Sequence, residues 1–257
     1  MHSPDELKTL VEDSLEGLEL WPDLAGQRDS VRYALVEMGG KRIRPVISLA
    51  VGESLGAQPK TVMPAALALE LVHNFSLVHD DLPALDDDEE RRGRPSVWAA
   101  YGEGKAVLAG DALLAEAFRL ACSYPTPHVA RELAEATLGM IGGQYLDTME
   151  PGADLERVHR LKTGRLFYAA VAMPLWAAGL AAREQGPWRD FGEELGLLFQ
   201  IVDDILDANG YVLAHGPEAA RALADRAAEQ AQAQLSAIPA DTSVLAGIVA
   251  GLAARTS

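Results

Sequence analysis

ELVHNFSLVHDDLPALDDDEERRGRP, residues 70–95, is the stretch from which the fold can be read outward. Its first half carries apolar side chains at Leu71, Phe75 and Val78, the i, i+4, i+7 spacing of one helix face. The second half changes character at once. Asp80, Asp81, Asp86, Asp87, Asp88, Glu89 and Glu90 place seven carboxylates in eleven positions, and Arg91, Arg92 and Arg94 follow. Carboxylates packed this tightly repel one another unless a cation sits among them. Hard divalent cations such as Mg²⁺ take oxygen ligands and keep several waters, so a few carboxylates plus substrate phosphates make a natural site. Most charge runs are solvated loops, but this one grows directly out of a helix that reads as buried.

The rest of the chain repeats the helical pattern. Alanine and leucine are abundant, apolar residues recur at three and four, and no period-two run rich in Val, Ile and Thr occurs. Helices are expected over residues 30–55, 61–82, 111–123, 129–149, 154–181, 188–208, 217–238 and 242–253. The breaks carry Gly56, Pro59, Pro125, Pro127, Pro151-Gly152, Gly186-Pro187 and Pro239. With no flexible linker and no internal repeat, residues 1–257 read as a single all-α domain, a bundle. The longest uncharged apolar run, residues 166–182, is short for a membrane span and contains Pro174, so it reads as a buried core helix. The acidic first twenty residues resemble neither a signal nor a transit peptide.

Composition narrows the function. The 257 residues hold 22 Lys plus Arg against 38 Asp plus Glu, a net charge of −16. A basic face for nucleic acid is hard to build from that balance. The single cysteine, Cys122, forms no intrachain disulfide and no thiolate zinc cluster. It fits a reducing compartment, and a cytoplasmic location is expected.

A second acidic segment strengthens the metal reading. In FQIVDDILD, Asp203 and Asp207 stand i, i+4 on a helix and share a face, with Gln200 one turn back. Ile201, Val202, Ile205 and Leu206 put these acids beside a core, where unneutralised carboxylates are costly. Paired sites facing each other across a bundle would explain both segments. The substrate is then anionic, and it needs cations gathered locally. Of five lysines, Lys41 lies in GGKRIRP beside Arg42 and Arg44, and Lys162 lies in LKTGR beside Thr163. Asp111 after Gly110 reads as a helix N-cap. Gln144 and Asp147 suit either a cavity wall or a bond between helices.

Together these residues resemble the trans-polyprenyl diphosphate synthases, the family of farnesyl and geranylgeranyl diphosphate synthases. GGKRIRP at Gly39, ELVH at Glu70, HDDLPALDDDEERRGRP at His79, AGDALL at Ala109, GMIGGQYLD at Gly139, KTG at Lys162 and FQIVDDILD at Phe199 occur in the family's order. The resemblance implies an all-α bundle around a central cavity, usually a homodimer. It implies three Mg²⁺ ions on Asp80, Asp86 and Asp203, with Asp81, Asp204 and Asp207 supporting. Arg91, Lys162, Thr163 and Gln200 would hold the allylic diphosphate (dimethylallyl, geranyl or farnesyl). Lys41, Arg44, His73 and Arg92 would hold isopentenyl diphosphate. Spacing alone does not choose between Asp86 and Asp87, and Asp86 follows the family pattern. Phe75 lies five residues before Asp80, about 7.5 Å along a helix. As the floor of the cavity it would stop the product at fifteen carbons, with small Ser76 allowing some twenty-carbon product.

One departure stands out. The family usually has a longer Gly- and Lys-containing stretch after the second acidic motif, whose lysine reaches the allylic diphosphate. Here ANGYVLAHGPEAAR follows Asp207, and no lysine occurs after Lys162. Either the segment is deleted, which would weaken diphosphate binding, or the natural chain has a loop that this sequence lacks; the abrupt break points to the second. A terpene cyclase would carry an Asn/Ser/Glu metal motif in place of Asp203, Asp204 and Asp207. A non-catalytic partner subunit would tolerate loss of the aspartates, and both sets are present.

Overall fold

The computed structural model describes residues 1–150 and 152–256. The expectation of an all-α fold is met. The helices are α1 (Pro4–Glu16), α2 (Arg28–Arg32), α3 (Ile43–Ser54), α4 (Pro59–Asp80), α5 (Val97–Tyr101), α6 (Glu103–Ala121) and α7 (His128–Met149). They continue as α8 (Leu155–His159), α9 (Arg165–Ala177), α10 (Gly186–Asp207), α11 (Gly210–His215), α12 (Pro217–Ala237) and α13 (Ser243–Ala253). Among the described residues, strand is confined to one hairpin, β1 (Glu90–Arg91) against β2 (Arg94–Pro95).

Local chemistry accounts for several boundaries. α1 opens on a capping box, in which the Ser3 hydroxyl accepts from the Glu6 amide while the Glu6 carboxylate accepts from the Ser3 amide. Pro59 stands at the start of α4, where its missing N–H removes no helical bond. α4 is apolar nearly all round and packs against α3, α6 and α9, as a core helix should. α10 packs against α9 and α12 and buries Leu195, Leu198 and Ile201. The apolar run from Leu166 forms α9, with Leu166, Phe167 and Met173 buried as expected. One helix, α4, is long and apolar enough to cross a membrane, and 67 % of its most apolar window lies buried inside the molecule.

Several expected boundaries are corrected. The helix foreseen over 30–55 is two: α2 runs into a π-type turn (Tyr33–Glu37), the chain bends at residues 39–42, and α3 begins at Ile43. The Gly39-Gly40 pair and left-handed Arg42 make that bend. The helix foreseen over 154–181 is interrupted by a second π-type turn (Arg160–Gly164). α6 starts at Glu103, so Asp111 lies in mid-helix and exposed, not at an N-cap. α1, α5 and α11 are additional, and of the Pro151-Gly152 break Pro151 lies outside the described residues. On α7, Leu138, Ile141, Tyr145 and Met149 form an exposed apolar stripe at helical spacing, with Leu138 69 % exposed.

Candidate active site

The C-terminal end of α4, the turn before α9 and the inner face of α7 enclose a cavity of about 490 Å³. Its polar end is made by Arg44, His73, Asp80, Lys162 and Thr163. Its body is apolar, with Phe75, Leu85, Met140, Ile141 and Leu166. Both characters come from one helix: α4 supplies Asp80 at its end and Phe75 with Ser76 a turn and a half earlier. Gly143 makes the third wall possible, since a Cβ there would lie 2.2 Å from the Lys162 backbone nitrogen. The π-type turn thereby sits directly on α7 and aims Lys162 and Thr163 inward.

The acidic loop folds back over the end of α4. The amides of Asp86 and Asp88 donate to the carbonyls of Asp80 and Asp81 at 2.9 and 3.1 Å. Burial pushes the Asp80 carboxyl up to about 6; Lys162 opposes the rise and Asp86 reinforces it. Asp86 is thus the loop acid whose charge bears on Asp80. Asp81 is buried below, bonded to Arg91 Nε at 2.6 Å and Nη2 at 2.5 Å. Burial raises its carboxyl and the Arg91 bond opposes it. The hairpin turns at Arg92-Gly93, both at positive φ as a two-residue turn of the primed type requires. It sets Arg91 against Asp81 and sends Arg92 to the Gly39 carbonyl.

Within the cationic wall Arg42 and Arg44 are buried, while Lys41 and Arg92 are exposed. Burial lowers Arg44 to about 10; Glu70 and Asp203 oppose the drop, and Arg92 adds to it. Its guanidinium lies 4.5 Å from the centre of the Phe167 ring. Burial first, then the charges of Arg44, Arg92, Arg42 and Arg91, hold His73 well below the usual imidazole range, so it is neutral at neutral pH. Lys162 Nζ donates to Asp147 Oδ2 at 2.5 Å. Gln144 lines the cavity, and both its amide atoms are buried without a protein partner; of the two readings open for it, the cavity wall is correct, while Asp147 bonds between helices.

The acids of α10 divide into two kinds. Asp203 is half-buried; burial and Asp207 raise its carboxyl, while Lys41 and Arg255 oppose. Lys41 and Asp207 are exposed. Asp204 points away from them and is 3 % exposed. It accepts from Gln200 Nε2 at 2.7 Å and the Tyr211 amide at 2.8 Å, with His159 Nδ1 at 3.6 Å. Gln200 therefore faces Asp204 and a separate small cleft beside His159 and Tyr211, not the stripe of Asp203 on which the spacing had put it. The i, i+4 relation that binds Gln200 is to Asp204. After Asp207 the chain turns through Ala208 and Gly210, both at positive φ, straight into α11, and no lysine follows. Arg255, beside Asp203, is a cation that no motif announced.

Among the described residues no three acidic or histidine side chains stand close enough to hold an ion unaided. Mg²⁺ keeps waters and takes one or two carboxylates together with substrate oxygens. The donors near the cavity mouth are carboxylate oxygens, and Asp80 ionises with difficulty until a cation joins it.

The comparisons with known proteins agree with this architecture. The polyprenyl synthetase family model matches residues 28–225. The geranylgeranyl diphosphate synthase of Cyanophora paradoxa is 39 % identical over 217 residues, covering 79 % of this chain and 72 % of its own length. The farnesyl diphosphate synthase of Escherichia coli is 43 % identical over 198 residues, covering 71 % of this chain and 66 % of its own. The crystal structure of a geranyltransferase from Legionella pneumophila superposes with a TM-score of 0.90 at 30 % identity, covering 98 % of this chain and 96 % of that one. The chain belongs to the polyprenyl synthetase family, a family of prenyltransferases.

Proposed function

We propose that this protein condenses isopentenyl diphosphate head-to-tail with an allylic diphosphate, and that its main product is the fifteen-carbon farnesyl diphosphate. The observation that carries the reading is the two-sided cavity: cations and Asp80 at one end, and an apolar body running down α4 to Phe75. Prenyl diphosphate synthases of this family are Mg²⁺-dependent. In the proposed arrangement Asp80, Asp86 and Asp203 would hold three Mg²⁺ ions, supported by Asp81 and Asp207. When bound, Mg²⁺ supplies positive charge to the leaving diphosphate.

The chain's own groups do the rest. Arg91, Lys162 and Thr163 hold the allylic diphosphate, and Lys162 offsets charge that builds on it as the allylic C–O bond breaks. Lys41, Arg44, His73 and Arg92 hold isopentenyl diphosphate; neutral His73 serves as an N–H donor, not as a charge. The double bond of isopentenyl diphosphate attacks the allylic carbon, a new C–C bond forms, and a proton leaves C2 to the released pyrophosphate. The aspartates therefore act as ligands, not as bases. The apolar walls keep water from the cation before the new bond forms. Asp204, anchored to Gln200 and Tyr211, fixes the end of α10 that carries Asp203.

A cytoplasmic homodimer is part of the same reading, with exposed Leu138 of α7 at its contact. Geranylgeranyl diphosphate is the second product to weigh, since relatives of both names match the chain and Ser76 leaves room beside Phe75. The test is the carbon number of the product from dimethylallyl and isopentenyl diphosphates with Mg²⁺, read by mass spectrometry. Fifteen carbons supports the reading, twenty keeps the reaction and removes the Phe75 floor, and no prenyl product removes both.

A further inference from the structure

Glu70 is a carboxylate enclosed within the cationic wall. It lies three residues before His73 on α4 and is 2 % exposed. Its Oε1 accepts from Arg42 Nη1 at 2.7 Å, with Asn74 Nδ2 at 3.4 Å. The other end of the same guanidinium donates to the Leu35 carbonyl at 2.7 Å, so Arg42 ties α4 to the π-type turn that follows α2. Arg42 is 4 % exposed and holds φ 54°, which side-chain-bearing residues adopt only where the surroundings impose it. The turn it closes, residues 39–42, is crowded: a Cβ on Gly40 would lie 2.9 Å from Arg92 Nη1 and 3.2 Å from Arg42 Nη1. Arg92 in turn donates to the Gly39 carbonyl. Glu70 is also the first opposing charge felt by both Arg44 and Arg92.

We propose that Glu70 and Arg42 are positioning residues for isopentenyl diphosphate, the buried pair fixing the turn at residues 39–42 that presents Lys41 and leads into Arg44. The inference rests on the reaction proposed above. The charge count gives the physical reason. Buried Arg42 and Arg44, with exposed Arg92 beside them, would repel one another; one enclosed carboxylate lets all three stand together and leaves a net charge of about +2 facing an incoming diphosphate. Bound diphosphate then meets a preformed cradle instead of ordering one. Neither residue touches the substrate in this scheme; both act through Lys41, Arg44 and Arg92.

The test uses Glu70→Gln, which keeps the shape and removes the charge, and Arg42→Lys, which keeps the charge and removes the two-ended fork. Steady-state rates give KM for each substrate separately, melting temperature reports the fold, and calorimetry with isopentenyl diphosphate reads the site without turnover. Both variants are expected to weaken isopentenyl diphosphate about tenfold or more, in KM and in Kd, with kcat and the allylic KM within about threefold. A double variant Arg42→Met/Glu70→Leu that melts like the parent keeps the same isopentenyl diphosphate defect. Unchanged affinity in folded variants overturns the proposal, as does a uniform fall in kcat and both KM values that tracks melting temperature. A parent that makes no prenyl product while Glu70→Gln still loses isopentenyl diphosphate binding would overturn the proposed reaction and keep the positioning role.

Discussion

Replacing Asp80 by Asn should stabilise the metal-free protein, and the gain should depend on pH in a defined way. The carboxyl ionises at about 6 in the folded chain against an ordinary 3.8, with burial the largest cause. Between those values the native state binds more protons than the unfolded state, so native stability falls as pH rises through this window. At 1.36 kcal/mol per pH unit the gap amounts to about 3 kcal/mol. The cost is absent below the unfolded value, about half present near pH 5, and complete by pH 8. Denaturant unfolding in EDTA should show Asp80→Asn gaining up to about 3 kcal/mol over the parent at pH 8 and roughly half of that at pH 5. Adding Mg²⁺ together with inorganic pyrophosphate should then reverse the order, raising the parent and leaving the variant nearly unmoved, because the cation needs the ionised carboxyl. A variant no more stable than the parent at pH 8 in EDTA, or a difference independent of pH, would refute the idea that Asp80 is a carboxylate waiting for a cation.

Other expectations follow from the same geometry. Phe75→Ala should lengthen the product from fifteen to twenty carbons or more, and because Phe75 is buried in the core it should also cost about 3 kcal/mol by denaturant unfolding; an unchanged product length would remove its role as a floor. Asp204→Ala should lose about 2–3 kcal/mol of stability, since the Gln200 amide and the Tyr211 N–H lose a buried acceptor, whereas Asp203→Ala should melt near the parent and lose turnover. The reverse pattern would mean that the two acids have been assigned the wrong way round. His73, held neutral by burial and four arginines, should add no limb of its own to the rate profile between pH 6 and 9, and His73→Gln should shift only the KM for isopentenyl diphosphate, as measured with the allylic substrate saturating.

Much of this site was legible because its chemistry is concentrated in sequence. The i, i+4, i+7 apolar spacing of Leu71, Phe75 and Val78 located the core helix, and the acids after it located the mouth of the cavity. The long apolar run from Leu166 read correctly as a buried helix. What was not legible depends on contacts between distant residues. Periodicity cannot register a π-type turn, which shifts phase by one residue; the turn at residues 160–164 exists because Gly143 admits the Lys162 backbone from another helix. The hairpin at Arg92-Gly93 lacks the Asn-Gly signal and is held by Arg91 on Asp81, ten positions away. The split between Asp203 and Asp204 is decided by Tyr211 and His159, which belong to elements on either side of α10. Arg255 faces Asp203 from the far end of the chain, in a segment with no motif.

The most direct test of the central claim is the rate of prenyl diphosphate formation across a Mg²⁺ titration by the parent, Asp80→Ala and Asp203→Ala. The parent should convert dimethylallyl and isopentenyl diphosphates to a fifteen-carbon diphosphate, with no product in EDTA and a rate that saturates with Mg²⁺. Each variant should lose on the order of 10²–10³ in turnover at saturating substrates, the scale of removing one charge-stabilising element. Variants that match the parent, or a parent whose rate ignores Mg²⁺, would contradict the account.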